Sequence, residues 1–255
     1  MHMTVVAKLC SVVFMLTALN AIAQNDLITE PTLLYRKRVL YGANINSSSL
    51  GGINFKYQWQ KTALLKNGFD LELARIRHPK EERVYGQSDN PKQYTPGRVN
   101  MAFFLRTGYG QNIFITTRDY KNSVSLHYNY SFGVTTALLK PIYIDVFKLS
   151  QDPFGQDYIA TEKYEPINTH TTPYTIYGNA TFTRGFDEMS ARIGGHFKNS
   201  LSVEWGEYPD AFNSLEAGFC VDLFAQPLPL MANELAKNKQ LYITLFLGFN
   251  FGQNR

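Results

Sequence analysis

An all-β fold is expected of this sequence: a transmembrane antiparallel up-and-down β-barrel of eight strands, or in the alternative ten, with one large extracellular insertion. Three observations carry the expectation. Apolar residues recur at every second position in eight segments, the period of a strand whose side chains alternate between two faces. Several runs reach about ten residues, which suits a strand crossing a bilayer at a tilt and exceeds the five or six usual in soluble sheets. The charged and amide side chains of each segment fall opposite the large aliphatics, as a wall between hydrocarbon and an enclosed interior requires.

The first element in chain order is not a strand. Lys8, the apolar run Leu9–Leu16 and Ala21-Ile22-Ala23 before Gln24 form the basic region, apolar region and cleavage site of a secretory signal peptide. Residues 1–23 are therefore expected to be a cleaved leader and residues 24–255 the barrel domain. Cys10 lacks the small residues that precede a lipidated cysteine. Cys220 is then the one thiol of the exported chain, expected as a packed small side chain.

The strands follow at Arg38–Asn46, Ile53–Gln60, Phe69–Ala74, Val99–Arg106, Val124–Thr135, Ser200–Trp205, Leu215–Leu223 and Gln240–Gly252. The last is the clearest: Leu241, Ile243, Leu245, Leu247, Phe249 and Phe251 alternate with Tyr242, Thr244, Phe246, Gly248 and Asn250. Tyr41, Trp59, Trp205 and Tyr242 stand toward segment ends, where an aromatic girdle meets headgroups. Closure follows because an open edge in hydrocarbon leaves unpaired backbone groups at a cost of roughly several kcal/mol each. With both termini in the periplasm, the turns there are Lys61–Gly68, Tyr109–Asn122 and Glu207–Asp210. The outer connections are Ser47–Gly51, Arg77–Gly97, Leu138–His196 and Gln226–Lys239. Ile113–Arg118 supplies the extra strand pair of the ten-strand alternative. In the large insertion, Leu138–Val146 is expected to prolong the fifth strand and Gly185–Arg192 to form a helical turn. Gly51-Gly52 and Gly194-Gly195 read as turn glycines.

Composition narrows the chemistry. Of 255 residues, 14% are aromatic and 18% charged, the latter below the roughly 25% of an average soluble domain. Disorder is excluded by the aromatics. A net charge of +4 without a dense basic stripe does not indicate nucleic acid. No paired-histidine zinc spacing, nucleophile elbow or phosphate loop occurs. The lumen-facing set is Arg38, Lys56, Glu72, Arg106, His127, Glu204, Glu216 and Asp222. In an eight-stranded barrel these fill the interior and must pair, because an unpaired buried charge is costly. The set is expected as an ion-paired plug rather than a proton path or channel. Lys80-Glu81-Glu82-Arg83 is a mixed charge run in an outer loop, either a solvated face or a docking surface for lipopolysaccharide or a partner. His170, with Asp145, Asp152 or Asp157 to orient it, is the one catalytic constellation to weigh, and no serine is marked beside it. No catalytic, cofactor-binding or metal residues are assigned.

The blocks His78-Pro79-Lys80-Glu81-Glu82-Arg83, Gly97-Arg98-Val99-Asn100, Leu138-Leu139-Lys140-Pro141-Ile142-Tyr143 and Leu215-Glu216-Ala217-Gly218 resemble, in this order, a family of exported β-barrel proteins of Bacteroidota outer membranes. The terminal Phe249–Arg255 resembles the family's ending, though Gly252-Gln253-Asn254 is less basic. The resemblance spans most of the chain beyond the leader. It implies an outer-membrane barrel, with no enzymatic role to carry over, and further a subunit of a larger envelope complex, accessory to barrel assembly; no enzymatic activity and no cofactor are expected. Independently, Phe249 and Phe251 at alternate positions near the end suit strand addition to the open edge of an assembly insertase. The expected function is thus a structural or accessory barrel. The expected partners are outer-membrane lipid, lipopolysaccharide and envelope proteins, including the barrel-assembly machinery. An outer-leaflet lipid-modifying enzyme and a small-solute pore are the alternatives.

Overall fold

The computed structural model describes residues 37–62, 64–86, 92–116, 124–148, 156–166, 176–206 and 211–254, with the side chains of 49 and 50 left aside. The expected leader, residues 1–23, lies outside them. In chain order the strands are β1 (Lys37–Asn46), β2 (Ser49–Thr62), β3 (Leu65–Ile76), β4 (Val84–Tyr85), β5 (Gln93–Tyr94), β6 (Asn100–Thr116), β7 (Ser125–Pro141), β8 (Tyr143–Lys148), β9 (Tyr158–Lys163), β10 (Ile176–Asn179), β11 (Ser190–Trp205), β12 (Ala211–Phe224) and β13 (Leu241–Asn254).

Eight of these form one closed antiparallel barrel. β1, β2, β3, β6, β7, β11, β12 and β13 each pair with the next, and β13 returns to β1 along Arg38↔Asn254 to Asn46↔Phe246. Closure removes the edges that would otherwise present unpaired N–H and C=O groups. The facing follows the alternation. On β13, Leu241, Ile243, Leu245, Leu247, Phe249 and Phe251 are exposed on the outer wall, while Tyr242, Thr244, Phe246 and Asn250 are buried within. The outer wall carries Phe55, Phe69, Leu71, Leu73, Phe132, Val134, Leu201 and Phe219 in the same way. Such a continuous apolar belt is unlike the singly scattered apolar residues of a soluble surface.

The barrel has eight strands and not ten. Ile113–Thr116 prolongs β6, pairing Ile113 with Tyr128 and Phe114 with His127; residues 117–123 lie outside the described set. Residues 138–141 and 190–196, expected in the insertion, belong to β7 and β11, which pair as Ser190↔Leu139 and onward. The expected prolongation Leu138–Val146 breaks at Ile142, whose N–H donates to the Val99 carbonyl (2.9 Å). Beyond it β8 enters a separate sheet of order β10-β8-β9. Gly185–Arg192 is not helical: it is a turn running into β11. Gly51-Gly52 lies in β2 and Gly194-Gly195 in β11, since the first turn is only Ser47-Ser48. Tyr242 is not a girdle residue; it points inward, its ring set edge-on to Phe104.

At the long-connection end, Tyr94, Met101, Ile142, Ile144, Val146, Tyr164 and Ile176 make a second small core beneath the three-stranded sheet. The Tyr164 hydroxyl accepts the Gly97 N–H (3.1 Å), and burial pushes that phenol's pKa up. Gly97 holds φ 73°, a left-handed conformation that glycine takes without strain.

Candidate functional site

The lumen of the barrel is built from the inward halves of the alternating strands, so each polar side chain there is placed by its register. Arg38 donates to Glu204 (2.5 Å), which also lies 3.1 Å from His127 Nε2. Lys56 donates to Glu216 (2.5 Å), and Ser200 Oγ donates to the same carboxylate (2.6 Å). Arg106 bridges two carboxylates, donating from Nη1 to Glu72 (2.7 Å) and from Nε and Nη2 to the two oxygens of Asp222 (3.0 and 2.7 Å). Lys198 completes Glu72 (2.5 Å). Thr135 Oγ1 donates to Asp222 Oδ1 (2.8 Å) and so accepts from His196 Nδ1 (3.0 Å), because a hydroxyl has one proton. With Lys66 and Asp70 added, five cations face five carboxylates, and the interior is neutral. A pocket lined by Lys56, Asp70, Lys198 and Glu216 measures about 30 Å³, room for about two waters.

Above this network the lumen becomes apolar. Ala102, Phe104, Ala137, Leu139 and Phe224 meet Leu228 and Leu230, which the β12–β13 connection lowers into the mouth. Asn238 pins that connection: its Oδ1 accepts the N–H groups of Leu230 (3.0 Å) and Met231 (3.1 Å), and its Nδ2 donates to the Met231 carbonyl (2.8 Å). Val99 N–H donates to the Leu230 carbonyl (2.9 Å). Among the described residues these side chains fill the mouth.

The eight lumen residues named from the sequence all face the lumen, in three bonded groups: Arg38, Glu204 and His127; Lys56 and Glu216; and Arg106, Glu72 and Asp222. Lys198, Lys66, Asp70 and His196 were missed as members. Lys198 and His196 sit in the extended part of β11, upstream of Ser200 where the clear alternation begins, and the inward parity of that run is the signal that places them. His127 is held by Asn112 (3.1 Å) and Ser125 (2.9 Å) as well as Glu204. His78 is buried in a loop, its Nδ1 accepting the Lys80 N–H (3.2 Å). His170 and Asp152 lie outside the described residues. Asp145 is engaged by Thr161 (2.8 Å) and Lys92 (3.1 Å), which leaves it no histidine among the described residues. Among those residues no three His, Cys, Asp or Glu side chains gather to hold a metal. Cys220 is buried, 3.9 Å from Asp222.

The Lys80–Arg83 run divides. Glu81 turns inward, where Arg98 donates to Oε2 (3.3 Å) and the His78 N–H to Oε1 (3.0 Å). Burial, then Arg77 and Arg83, lower the pKa of Arg98, and Glu81 opposes them. Lys80, Glu82 and Arg83 stay exposed.

No family model and no curated protein matches the chain. Among solved structures it is similar to Neisserial surface protein A (11% identity, 87% of this chain and 96% of that one, TM-score 0.39). It is similar also to the N-terminal β-barrel domain of Pseudomonas aeruginosa OprF (7% identity, 87% and 98%, TM-score 0.36). A third is Ail, the attachment invasion locus protein of Yersinia pestis (12% identity, 86% and 98%, TM-score 0.35). The likeness is one of barrel architecture; the eight-strand closure itself is read from the strand pairing.

Proposed function

We propose that this chain is a non-catalytic outer-membrane barrel that works through its surface-exposed end, as a structural or accessory subunit of an envelope complex. One observation carries the reading. A continuous apolar outer wall encloses a lumen in which every inward charge but Lys66 and Asp70 is ion-paired to another, and Leu228 and Leu230 fill its mouth. A barrel so filled leaves little room for a conduit, and most of its inward charges are engaged in holding it together. What it can offer a partner is the small sheet β10-β8-β9 and the loops around it, which place Phe147, Tyr158, Ile159 and Tyr85 at the surface. A role beside the barrel-assembly machinery draws on the family resemblance of the sequence blocks. The test is purification of the full chain from its native membrane in mild detergent, with co-eluting envelope proteins identified, alongside conductance of the isolated chain in planar bilayers. Co-elution with closed bilayers is expected. A monodisperse monomer without companions refutes the accessory role, and steady single-channel conductance refutes the plug.

A further inference from the structure

The β1–β2 hairpin is short, turning at Ser47-Ser48, and β3 runs past it: the Arg77 N–H donates to the Ser48 carbonyl (3.0 Å) at the hairpin tip. From that point the outward face of β3 changes character. Phe69, Leu71 and Leu73 are exposed apolar residues; the next outward position is Arg75, and Arg77 follows just past the strand's end. The guanidiniums of Arg77, Arg83 and Arg98 all act electrostatically on Arg75. Arg75 Nε, Arg77 Nε and Arg98 Nε are buried without a hydrogen-bond partner. The nearby carboxylate that would compensate them, Glu81, is taken up by Arg98 and the His78 N–H. Residues 75–83 with Arg98 hold five cations (Arg75, Arg77, Lys80, Arg83, Arg98) against Glu81 and Glu82, a surplus of three. Among the described residues no ion pair joins Arg75, Arg77 or Arg83 to a carboxylate.

Below the arginines the wall has a hollow. A groove of about 570 Å³ is lined by Phe55, Leu71, Thr107, Tyr109, Phe132 and Val134. Gly108, Gly133 and Thr107 are the small residues that open it, and the Thr107 hydroxyl donates to the Val134 carbonyl (3.4 Å). Leu71 stands four residues from Arg75, about 13 Å along the strand. A cationic fork above an apolar trough fits one kind of ligand, an anionic headgroup on acyl chains, and phosphate is the anion that guanidinium forks bind bidentately.

We propose that Arg75, Arg77 and Arg83 hold a phosphate of an acylated, phosphorylated glycolipid of the outer leaflet, with an acyl chain running past Leu73 and Leu71 into the groove beside Thr107. The proposal rests on the membrane-barrel reading above and adds a ligand to it. The test offers the full chain in detergent lipid A carrying its phosphates, the same lipid dephosphorylated, and inorganic phosphate, and counts bound lipid by native mass spectrometry. One phosphorylated lipid A per barrel is expected, with retention of the dephosphorylated lipid about tenfold lower. Arg75→Gln with Arg77→Gln should lower retention by about the same factor, whereas Arg184→Gln, at another exposed turn, should leave it unchanged. Thr107→Leu fills the groove without changing charge and should also weaken retention, which keeps the test open should the arginine variant fail to fold. Equal retention of both lipids, or normal retention in the arginine and groove variants, overturns the site. Displacement of the lipid by millimolar inorganic phosphate alone overturns the acyl-chain half. Folding is followed separately by heat-dependent gel mobility in lipid vesicles. A wild-type chain that does not fold there refutes the barrel reading, and the lipid site with it; a folded chain that ignores the phosphates refutes the lipid site alone.

Discussion

Arg106→Met is the sharpest probe of the lumen. The substitution keeps an unbranched side chain of similar reach and removes three charge-assisted hydrogen bonds, one to Glu72 and two to Asp222. The two carboxylates then fare differently. Glu72 keeps Lys198 at 2.5 Å. Asp222, fully buried, keeps the Thr135 hydroxyl at 2.8 Å and a thiol contact at 3.9 Å, with no cation of its own. Breaking a buried pair by deleting one partner costs about 3–5 kcal/mol, and most of it here falls on Asp222. Adding Asp222→Asn removes the stranded charge and should restore roughly half of the loss. The assay is urea unfolding in lipid vesicles, read from the fluorescence of Trp59 and Trp205, the two tryptophans of the chain. A loss under about 1 kcal/mol, the worth of a solvated pair, would mean that water fills the lumen and would refute the plug.

On the outer wall, Leu245→Arg should cost about 2–4 kcal/mol in the same assay, whereas Thr244→Val, one residue inward, should cost less; equal effects would refute the facing. At Gly133 an added Cβ would lie 2.1 Å from the Thr107 carbonyl oxygen and 2.5 Å from Gly108 Cα. Gly133→Ala should therefore cost about 1–3 kcal/mol by overpacking, and Gly195→Ala, whose Cβ would meet nothing nearer than 3.7 Å, should fold normally on heat-modifiable gels. Outside the membrane, the hydrogen bonds from Lys163 (2.7 Å) and Tyr143 (2.5 Å) hold the Glu188 pKa below its usual range. A depressed carboxylate stabilises above its unfolded pKa and loses that contribution as pH falls through the folded one. Amide exchange at Gly185–Ser190, corrected for its intrinsic pH dependence, should therefore quicken on acidification, and Glu188→Gln should abolish that response.

The wall of the barrel was legible because it answers to one local rule. In Gln240–Gly252 every outward position is apolar, so the period of two needs no knowledge of the neighbours. The same rule faltered where local pattern and register part. In Ser190–Asn199 the first four residues are exposed on both faces and two glycines follow, so the alternation is broken and its membership in β11 is decided by pairing with β7 across some sixty residues. Lys198 and His196 were hidden for that reason. Tyr242 looks like an interfacial aromatic by position, yet parity turns it inward to the Phe104–Phe224 cluster. The stopper was beyond reach, since nothing in Gln226–Lys239 announces that Leu228 and Leu230 descend into the mouth; only the ring of strands creates a mouth to fill. The arginine cluster was half visible as the Lys80–Arg83 run, but its uncompensated members, Arg75 and Arg77, become a group with Arg98 only once β3 and the start of β6 lie side by side.

The lumenal ion pairs also constrain how this protein comes into being. Arg38 finds Glu204 at a separation of 166 residues and Lys56 finds Glu216 at 160, and the seam between the first and last barrel strands forms between the two ends of the sheet. None of these partnerships is available to an arc of the first five strands. Such an arc in hydrocarbon would carry Arg38 and Lys56 without their partners into a medium that cannot solvate them. Insertion is therefore expected to be coupled to ring closure, and slow because its decisive encounters are so distant along the chain.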